Sequence, residues 1–389
     1  MLSFNNTEIA FSGKTNNDLR RSFWLFKMVS NPLFVNIGQV LTNFAIKTHL
    51  PIKGIIKATI FKQFCGGESI QECGKTIKEL GSFDIGTILD YSVEGKETER
   101  DFDACATETI ATIAKAENNK LIPFCVFKVT GLARLDLLEK VTTKKILTVD
   151  EQKEFERIEH RVDRICKAAH DTDTSIFIDA EESWIQKAID DLADKMMGLY
   201  NIEKPIVYNT FQMYCKDKLA YLKQSFEKAG QHNYYLGAKL VRGAYMEKER
   251  ERAFEKNYPS PIHANKENTD ADYDAALLFC IENISRISIC AGTHNENSSM
   301  YLAQIMKKQN IEENNKRIYF SQLLGMSDHI SFNLANAGYN VAKYVPYGPV
   351  NEVLPYLIRR AQENTSVKGQ TGRELSLIIR EKERRKKSN

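Results

Sequence analysis

The sequence has no C-x-x-C pair, no H-E-x-x-H, no G-x-x-x-x-G-K-[ST] and no G-x-G-x-x-G after a strand-like run. The first two absences argue against a metal centre, and so do seven histidines (His49, His160, His170, His232, His263, His294, His329) that stand at no ligating spacing. The other two argue against a P-loop and a Rossmann nucleotide site; Lys368 to Gly372 does not fit the former. A large excess of one charge is also missing. Lys and Arg total 54 against 51 Asp and Glu, a net charge of +3, which gives no reason to expect a nucleic-acid partner. No uncharged apolar run is long enough to span a bilayer, and Glu8, Lys14 and Asp18 interrupt any signal-peptide pattern, so the expected location is cytoplasmic. The eight cysteines repeat at no fixed interval and read as reduced, mostly buried thiols. No internal repeat or low-complexity linker is present.

What is present begins with helix. Residues 1–85 read as a helical arm with apolar residues at helical spacing from Leu19 to Phe64, broken at Pro32 and Pro51, and a further helix over Ser69–Leu80. Its first part holds Lys14, Arg20, Arg21, Lys27, Lys47, Lys53, Lys57 and Lys62 against Glu8 and Asp18. That surface reads either as a basic face touching anionic lipid or as an ordinary solvated face of an arm packed on the main domain.

From Thr87 the rhythm changes. Strand-like runs at Ile88–Val93, Phe124–Val129, Ser175–Ile178, Ile206–Asn209, Ala238–Val241, Ile287–Cys290, Ile318–Phe320 and Val341–Val345 alternate with amphipathic stretches such as Glu97–Ala116, Ile185–Leu199, Asp217–Ala229 and Asp272–Ile284. This alternation predicts an α/β fold, a parallel sheet closed as a (β/α)8 TIM-like barrel over residues 86–370, close to the ~250 residues such barrels use. The charged stretch Val141–Asp173 reads as a helical insertion, and residues 371–389 as a basic C-terminal tail, frayed and solvated over Arg380–Asn389.

Chemistry in such barrels sits at the carboxyl ends of the strands. Those ends carry Glu94, Lys128-Val-Thr130, Asp179-Ala-Glu181-Glu182, Gln212, Lys239-Leu-Val-Arg242-Gly243-Ala244-Tyr245, Gly292-Thr293-His294-Asn295, Ser321-Gln322-Leu323 and Lys343-Tyr344. After the eighth strand, a helix over Val350–Asn364 puts Tyr356, Arg359 or Arg360, and Glu363 on one face. Adjacent guanidinium groups clamp a small carboxylate well, whereas solvated i,i+4 ion pairs would use the same residues more blandly. With no metal, phosphate loop or nucleophile elbow, a flavin in the mouth would supply the missing reactivity.

The blocks KLVRGAY (Lys239–Tyr245), IDAEE (Ile178–Glu182), GTHN (Gly292–Asn295), QLLGM (Gln322–Met326), KYVPYG (Lys343–Gly348) and YLIRRAQEN (Tyr356–Asn364) together resemble the proline dehydrogenase family, in its monofunctional, eukaryote-like branch. The resemblance implies FAD at the carboxyl ends of the strands. It implies oxidation of L-proline to Δ1-pyrroline-5-carboxylate by hydride transfer from C5 to flavin N5, with electrons passed to membrane quinone from a peripheral position on the inner membrane. A separate pyrroline-5-carboxylate dehydrogenase would take the product. By the same resemblance Lys128, Arg359 and Arg360 hold the proline carboxylate and Glu363 orients the arginines. Tyr344, Tyr356 and Leu323 wall the ring, and Asp179 orders Tyr344. Gln212, the block Lys239, Arg242, Gly243, Ala244 and Tyr245, and Thr293, His294 and Lys266 line the cofactor. The chain departs from bacterial members in having Lys239 where they often have Arg; the resemblance leaves open whether Lys239 or Arg242 addresses flavin N5. The competing readings are a folate-reducing flavin barrel, a 4-hydroxyproline oxidase that Tyr344 would crowd, and a non-catalytic membrane scaffold that would be colourless.

Overall fold

The structure, a computed structural model, describes residues 2–29, 53–93, 97–366 and 370–388. The expected breaks at Pro32 and Pro51 and the strand-end Glu94 lie outside them. Helices α1 (Thr7–Ala10) and α2 (Asn16–Val29), a short helical stretch ending at Phe64, and α3 (Gly74–Gly81) precede the barrel. The barrel then runs β1 (Ile85–Tyr91), α4 (Glu99–Ala116), β2 (Phe124–Lys128), α5 (Leu135–Thr142), α6 (Val149–Asp171), β3 (Ser175–Asp179), α7 (Ser183–Tyr200) and β4 (Val207–Gln212). It continues with α8 (Lys218–Gln231), β5 (Leu236–Val241), α9 (Met246–Glu255), α10 (Lys266–Glu282), β6 (Ile287–Gly292), α11 (Glu296–Lys308), β7 (Ile318–Leu323), α12 (Asp328–Asn336) and β8 (Val341–Tyr347). Helices α13 (Leu354–Ser366) and α14 (Gln370–Ser388) follow.

All eight strands are parallel, each pairs with the next, and β8 closes on β1, with Ile85 opposite Val341. The (β/α)8 barrel is therefore as expected, and the stretch Val141–Asp173, read as an insertion, is mostly helix α6, which follows the short α5. The strands read as nearly continuous apolar runs because both faces are covered, by helices outside and by packed side chains inside. Local signals start several helices. Thr98 accepts from the Asp101 amide at the head of α4, and Thr148 and Glu151 form a reciprocal capping box on α6. Inside the barrel Phe124 stacks on Phe177 (centroids 4.5 Å apart), and the Tyr344 ring lies parallel above at 6.4 Å from Phe177. These rings make an apolar floor on which the polar mouth rests.

Several boundaries shift by a few residues from the sequence reading, and two of the shifts have a local cause. Strand β1 starts at Ile85, three residues early, because Gly86 fits against Pro123, where a Cβ would come 2.7 Å from the ring. Helix α13 starts at Leu354, since a turn over Pro349–Glu352 (Glu352 N to Pro349 O, 2.8 Å) comes first.

The expected frayed tail is instead helix α14. Leu377 and Ile378 are buried in a cluster with Phe11, Leu19, Phe26, Phe61, Val353 and Tyr356. Glu381, fully buried, accepts from the Nε atoms of Arg384 (2.8 Å) and Arg385 (2.7 Å), and Arg385 donates to the carbonyls of Phe11 and Lys14 at 2.9 Å each. The charged run that reads as solvated thus binds the first helices, and cations suit the negative end of a helix. Both chain ends form one apolar layer with α13 beside the mouth.

Candidate active site

The centre of the mouth is a paired set of charges contributed by five strands. Lys239, facing inward from β5 and 5% exposed, donates to Asp179 Oδ1 at the end of β3 (2.5 Å) and to the Tyr344 hydroxyl on β8. The Tyr344 hydroxyl donates in turn to Asp179 at 3.3 Å. Lys128, closing β2, places its Nζ 3.6 Å from Asp90 on β1 and 3.8 Å from Asp179. Ser92 Oγ donates to Asp90 at 2.6 Å. Two ammonium groups thus face two carboxylates, which is how charges survive in a buried site. Burial, then the Asp179 charge, holds the Tyr344 phenol well above its ordinary pKa, so it stays a neutral hydrogen-bonding group. The Lys239 ammonium also lies 4.3 Å from the Tyr344 ring centroid and 5.4 Å from that of Phe177.

In front of this set opens a cavity of about 660 Å³, whose walls include Lys128, Thr130, Glu181, Tyr245 and Arg359. Arg359 on α13 therefore faces the same space as Lys128 on β2. Its neighbour Arg360 is buried, with its guanidinium 5.2 Å from the buried Tyr356 ring. Leu323, at the end of β7, packs on both the inner aromatic cluster and the layer containing Tyr356. Of the residues expected to hold the substrate, Lys128 and Arg359 thus line the cavity, Asp179 and Tyr344 lie with Lys239 just beyond Lys128, and Leu323, Tyr356 and Arg360 belong to or touch the adjoining apolar layer. Glu363 is in α13, and its side chain lies outside the described residues.

A second polar group follows the rim from β5 to β6. Arg242 donates to Asp270 (2.7 Å), Thr293 Oγ1 (2.6 Å) and Ser298 Oγ (2.9 Å), and its guanidinium stacks 4.3 Å from the Tyr273 ring centroid. Lys266, exposed at the first turn of α10, pairs with Asp270 as well. Gly243, at φ +135°, lets the chain pass against Tyr214, whose ring a Cβ would meet at 2.4 Å. Ala244 is exposed and Tyr245 heads α9 at the cavity wall. Gln212 is buried, its Nε2 held 2.6 Å from the Glu181 carbonyl. His294 shares a hydrogen bond with Ser327 Oγ at 2.9 Å. Burial, then the charges of Lys343 and Arg360, lowers the His294 pKa to about 3, which keeps the imidazole neutral.

Lys239 and Arg242 therefore occupy different places: the first inside the mouth among the inner charges, the second on the rim, tied to Asp270. Two further residues join the site without having been assigned a role from sequence. Asp90 is the lone charge inside the first strand-like run, and a carboxylate there is tolerable only where the barrel interior is polar. Glu181 accepts from the Thr130 amide (3.0 Å) and from the Thr130 hydroxyl, tying the ends of β2 and β3 together. Burial, opposed by the Thr130 hydrogen bonds, raises its pKa to about 7. Among the described residues no group of His, Cys, Asp and Glu could hold a metal ion, and the eight cysteines are buried thiols.

Comparison with known proteins gives a consistent outcome. A family model for proline dehydrogenase matches residues 73–373. Proline dehydrogenase 1, mitochondrial, of Dictyostelium discoideum is 34% identical, with the match covering 97% of this chain and 74% of the relative. The carbapenem antibiotics biosynthesis protein CarD of Pectobacterium carotovorum subsp. carotovorum is 33% identical over 83% of each chain. Human proline dehydrogenase 1, mitochondrial, is 41% identical over 59% of this chain and 39% of its own length. Among solved structures, proline utilization A from Bdellovibrio bacteriovorus inactivated by N-propargylglycine superposes with a TM-score of 0.73 at 20% identity. That match covers 92% of this chain and 38% of the other, and shows the shared fold.

Proposed function

The chain belongs to the proline dehydrogenase family, oxidoreductases that act on proline, and on that premise we propose that it oxidises L-proline to Δ1-pyrroline-5-carboxylate with FAD bound in the barrel mouth. The observation that carries this reading is the convergence of Lys128, from the end of β2, and Arg359, from α13, on one cavity beside the Asp179–Lys239–Tyr344 set.

The donors present fit FAD. Gln212 offers a buried amide and Lys239 a buried ammonium toward the mouth, both suited to the nitrogens and carbonyls of a flavin ring. Arg242 and Lys266, at the rim, supply cations for a pyrophosphate, and Thr293 and His294 complete that side. When bound, FAD supplies the hydride acceptor and relays electrons to membrane quinone. Lys239 is the better placed of the two cations to address the reacting ring, because it points into the mouth from β5 while Arg242 lies on the rim against Asp270, Thr293 and Ser298.

The protein's own part is positioning. Lys128, Arg359 and Arg360 hold the proline carboxylate, and charge-assisted bonds from three cations fix one pose. Glu363, three and four residues beyond the arginines, orients them. Tyr344, Tyr356 and Leu323 press the ring and exclude water. Asp179 keeps Lys239 and Tyr344 in place. The substrate amine must lose its proton before hydride departs, and solvent in the open cavity accepts it. The product leaves for a separate pyrroline-5-carboxylate dehydrogenase. The enzyme works as a peripheral protein on the inner membrane; among the described residues no helix is long and apolar enough to cross one.

The test is an absorption spectrum of the purified full chain. A flavin spectrum that bleaches on anaerobic addition of L-proline is expected. A folded, colourless protein, or one whose colour proline leaves unchanged, would overturn the reading.

A further inference from the structure

Away from the mouth, one surface has features that the barrel chemistry does not use. On α2, Trp24 is 54% exposed and Met28 49%, and on α14 Ile379 is 39% exposed. Cations surround them. Lys27 Nζ stands 5.2 Å from the Trp24 ring and 5.9 Å from Phe23, and Lys382 Nζ stands 4.2 Å from Phe23. Arg20, one turn before Trp24, and Lys386, one turn after Lys382, are exposed. Of the acids nearby, Asp18 is paired with Arg21 at 3.2 Å, and Glu383 is exposed one turn after Ile379, between Lys382 and Lys386. The two helices pack on each other through Leu19, Phe26, Leu377 and Ile378. Their outward side is thus a single aromatic and aliphatic patch ringed by basic side chains.

An indole and a thioether left in water cost hydration free energy unless a partner covers them. An indole prefers the boundary between water and hydrocarbon, and lysines extend apolar stems into that boundary while keeping the ammonium among headgroups. The aliphatic tips of Met28 and Ile379 suit acyl chains better than the faces of bases or a polar peptide. Chain order agrees: α2 leads into a stretch with no charged residue between Lys27 and Lys47. We propose that the shared face of α2 and α14 docks on an anionic lipid bilayer, with Trp24, Met28 and Ile379 entering the headgroup layer and Arg20, Lys27, Lys382 and Lys386 meeting lipid phosphates. The surface is built from both chain ends, so neither helix alone presents it. The assignment gives the peripheral position proposed above a particular surface and rests on that part of the reading, but it needs nothing from the chemistry of the mouth.

The test is co-sedimentation of the full chain with vesicles of phosphatidylcholine alone or mixed with phosphatidylglycerol. Binding is expected to the mixed vesicles only and to weaken as salt is raised. Removing Lys27 or Lys382 as Lys27→Gln or Lys382→Gln should lower the partition coefficient about fivefold each. Trp24→Ala should lower it at high salt too, where the apolar contribution remains. In a Trp184→Phe background the remaining indole should shift its emission to the blue when mixed vesicles are added. Proline-dependent dye reduction without vesicles should be unchanged in every variant, which separates lost docking from lost folding. Wild-type protein that fails to sediment with the mixed vesicles would overturn the proposal. So would variants that bind as wild type does, or binding to a soluble polyanion that Trp24→Ala leaves untouched, which would point to a nucleic acid instead.

Discussion

At the scale of residues, the site is a set of charges that are affordable only in company. Lys128, Lys239, Asp90 and Asp179 balance one another inside the barrel, so in the proposed clamp Lys128 adds a contact while the net positive charge comes from Arg359 and Arg360 of α13. Replacing Arg359 or Arg360 by Met should therefore raise the KM for proline about 10- to 100-fold, the loss of one charge-assisted contact, while the flavin spectrum of the purified protein persists. Steady-state kinetics beside a visible spectrum checks this, and an unchanged KM would remove the arginines from the clamp. Glu181 makes a different prediction. Its pKa is raised in the fold to about 7, mainly by burial, so its stabilising protonated form is fully present below the unfolded value near 4.5 and is lost as pH rises through 7. Glu181→Gln keeps a carbonyl for the Thr130 amide and an NH2 for the Thr130 hydroxyl but cannot ionise. It should match wild type at pH ~4 and be more stable by up to ~3 kcal/mol at pH ~8.5, as read from urea midpoints across that range. Equal midpoints at the alkaline end would show that Glu181 ionises without strain.

At the scale of elements, the barrel was legible because its strands obey one rule: buried on both faces, they appear as short apolar runs between amphipathic helices. The strand ends were legible for a related reason, since polar residues directly after such a run have only the mouth to face. The residues that escaped are those whose burial depends on distant partners. Asp90 looks like a strand breaker until Lys128 and Ser92 are placed beside it. The Arg380–Asn389 run looks solvated until Arg385 is seen donating to the carbonyls of Phe11 and Lys14, at the other end of the sequence. Separation in sequence hides such pairs, because charge composition is local and ion pairing is not. Helix α14 therefore gives the element-scale prediction. Leu377, 1% exposed, fills the layer shared with Phe11, Leu19 and Tyr356, so Leu377→Ala should cost about 2–5 kcal/mol in a denaturant titration. Because that layer backs Tyr356, the KM for proline should rise as well. A frayed, solvated tail would show neither change.

At the scale of the whole molecule, ion pairs fasten the two chain ends to the barrel. Lys343, completely buried on β8, donates to Asp328 at 2.8 Å, and Lys14 lies 3.5 Å from the same carboxylate. Glu296, at the start of α11, bonds His329 Nε2 at 2.9 Å and accepts from Arg373 Nε of α14 at 2.7 Å. Glu374 of α14 accepts from the Ser327 amide. Burial opposes ionisation of Asp328 and Glu296, yet the charges of Lys343 and Lys14 on the one, and the bonds from His329 and Arg373 on the other, bring both carboxyls down to about 2. A lowered pKa contributes stability that is complete above the unfolded value near 4 and is lost as pH falls toward 2. Acid should therefore loosen α1 and α14 from the barrel over that window, at the opposite end of the pH scale from the Glu181 effect. Glu296→Gln removes one of these groups from titration, so it should lower stability at pH ~7 and flatten the acid limb. Limited proteolysis of the C-terminal helix between pH ~5 and ~2, read against circular dichroism of the barrel, tests both parts. If α14 is cleaved no faster in acid than at neutrality, or if the substituted protein follows the same acid curve as wild type, the chain ends are held by their apolar layer alone and the Glu296 pairs contribute nothing to the closure of the fold.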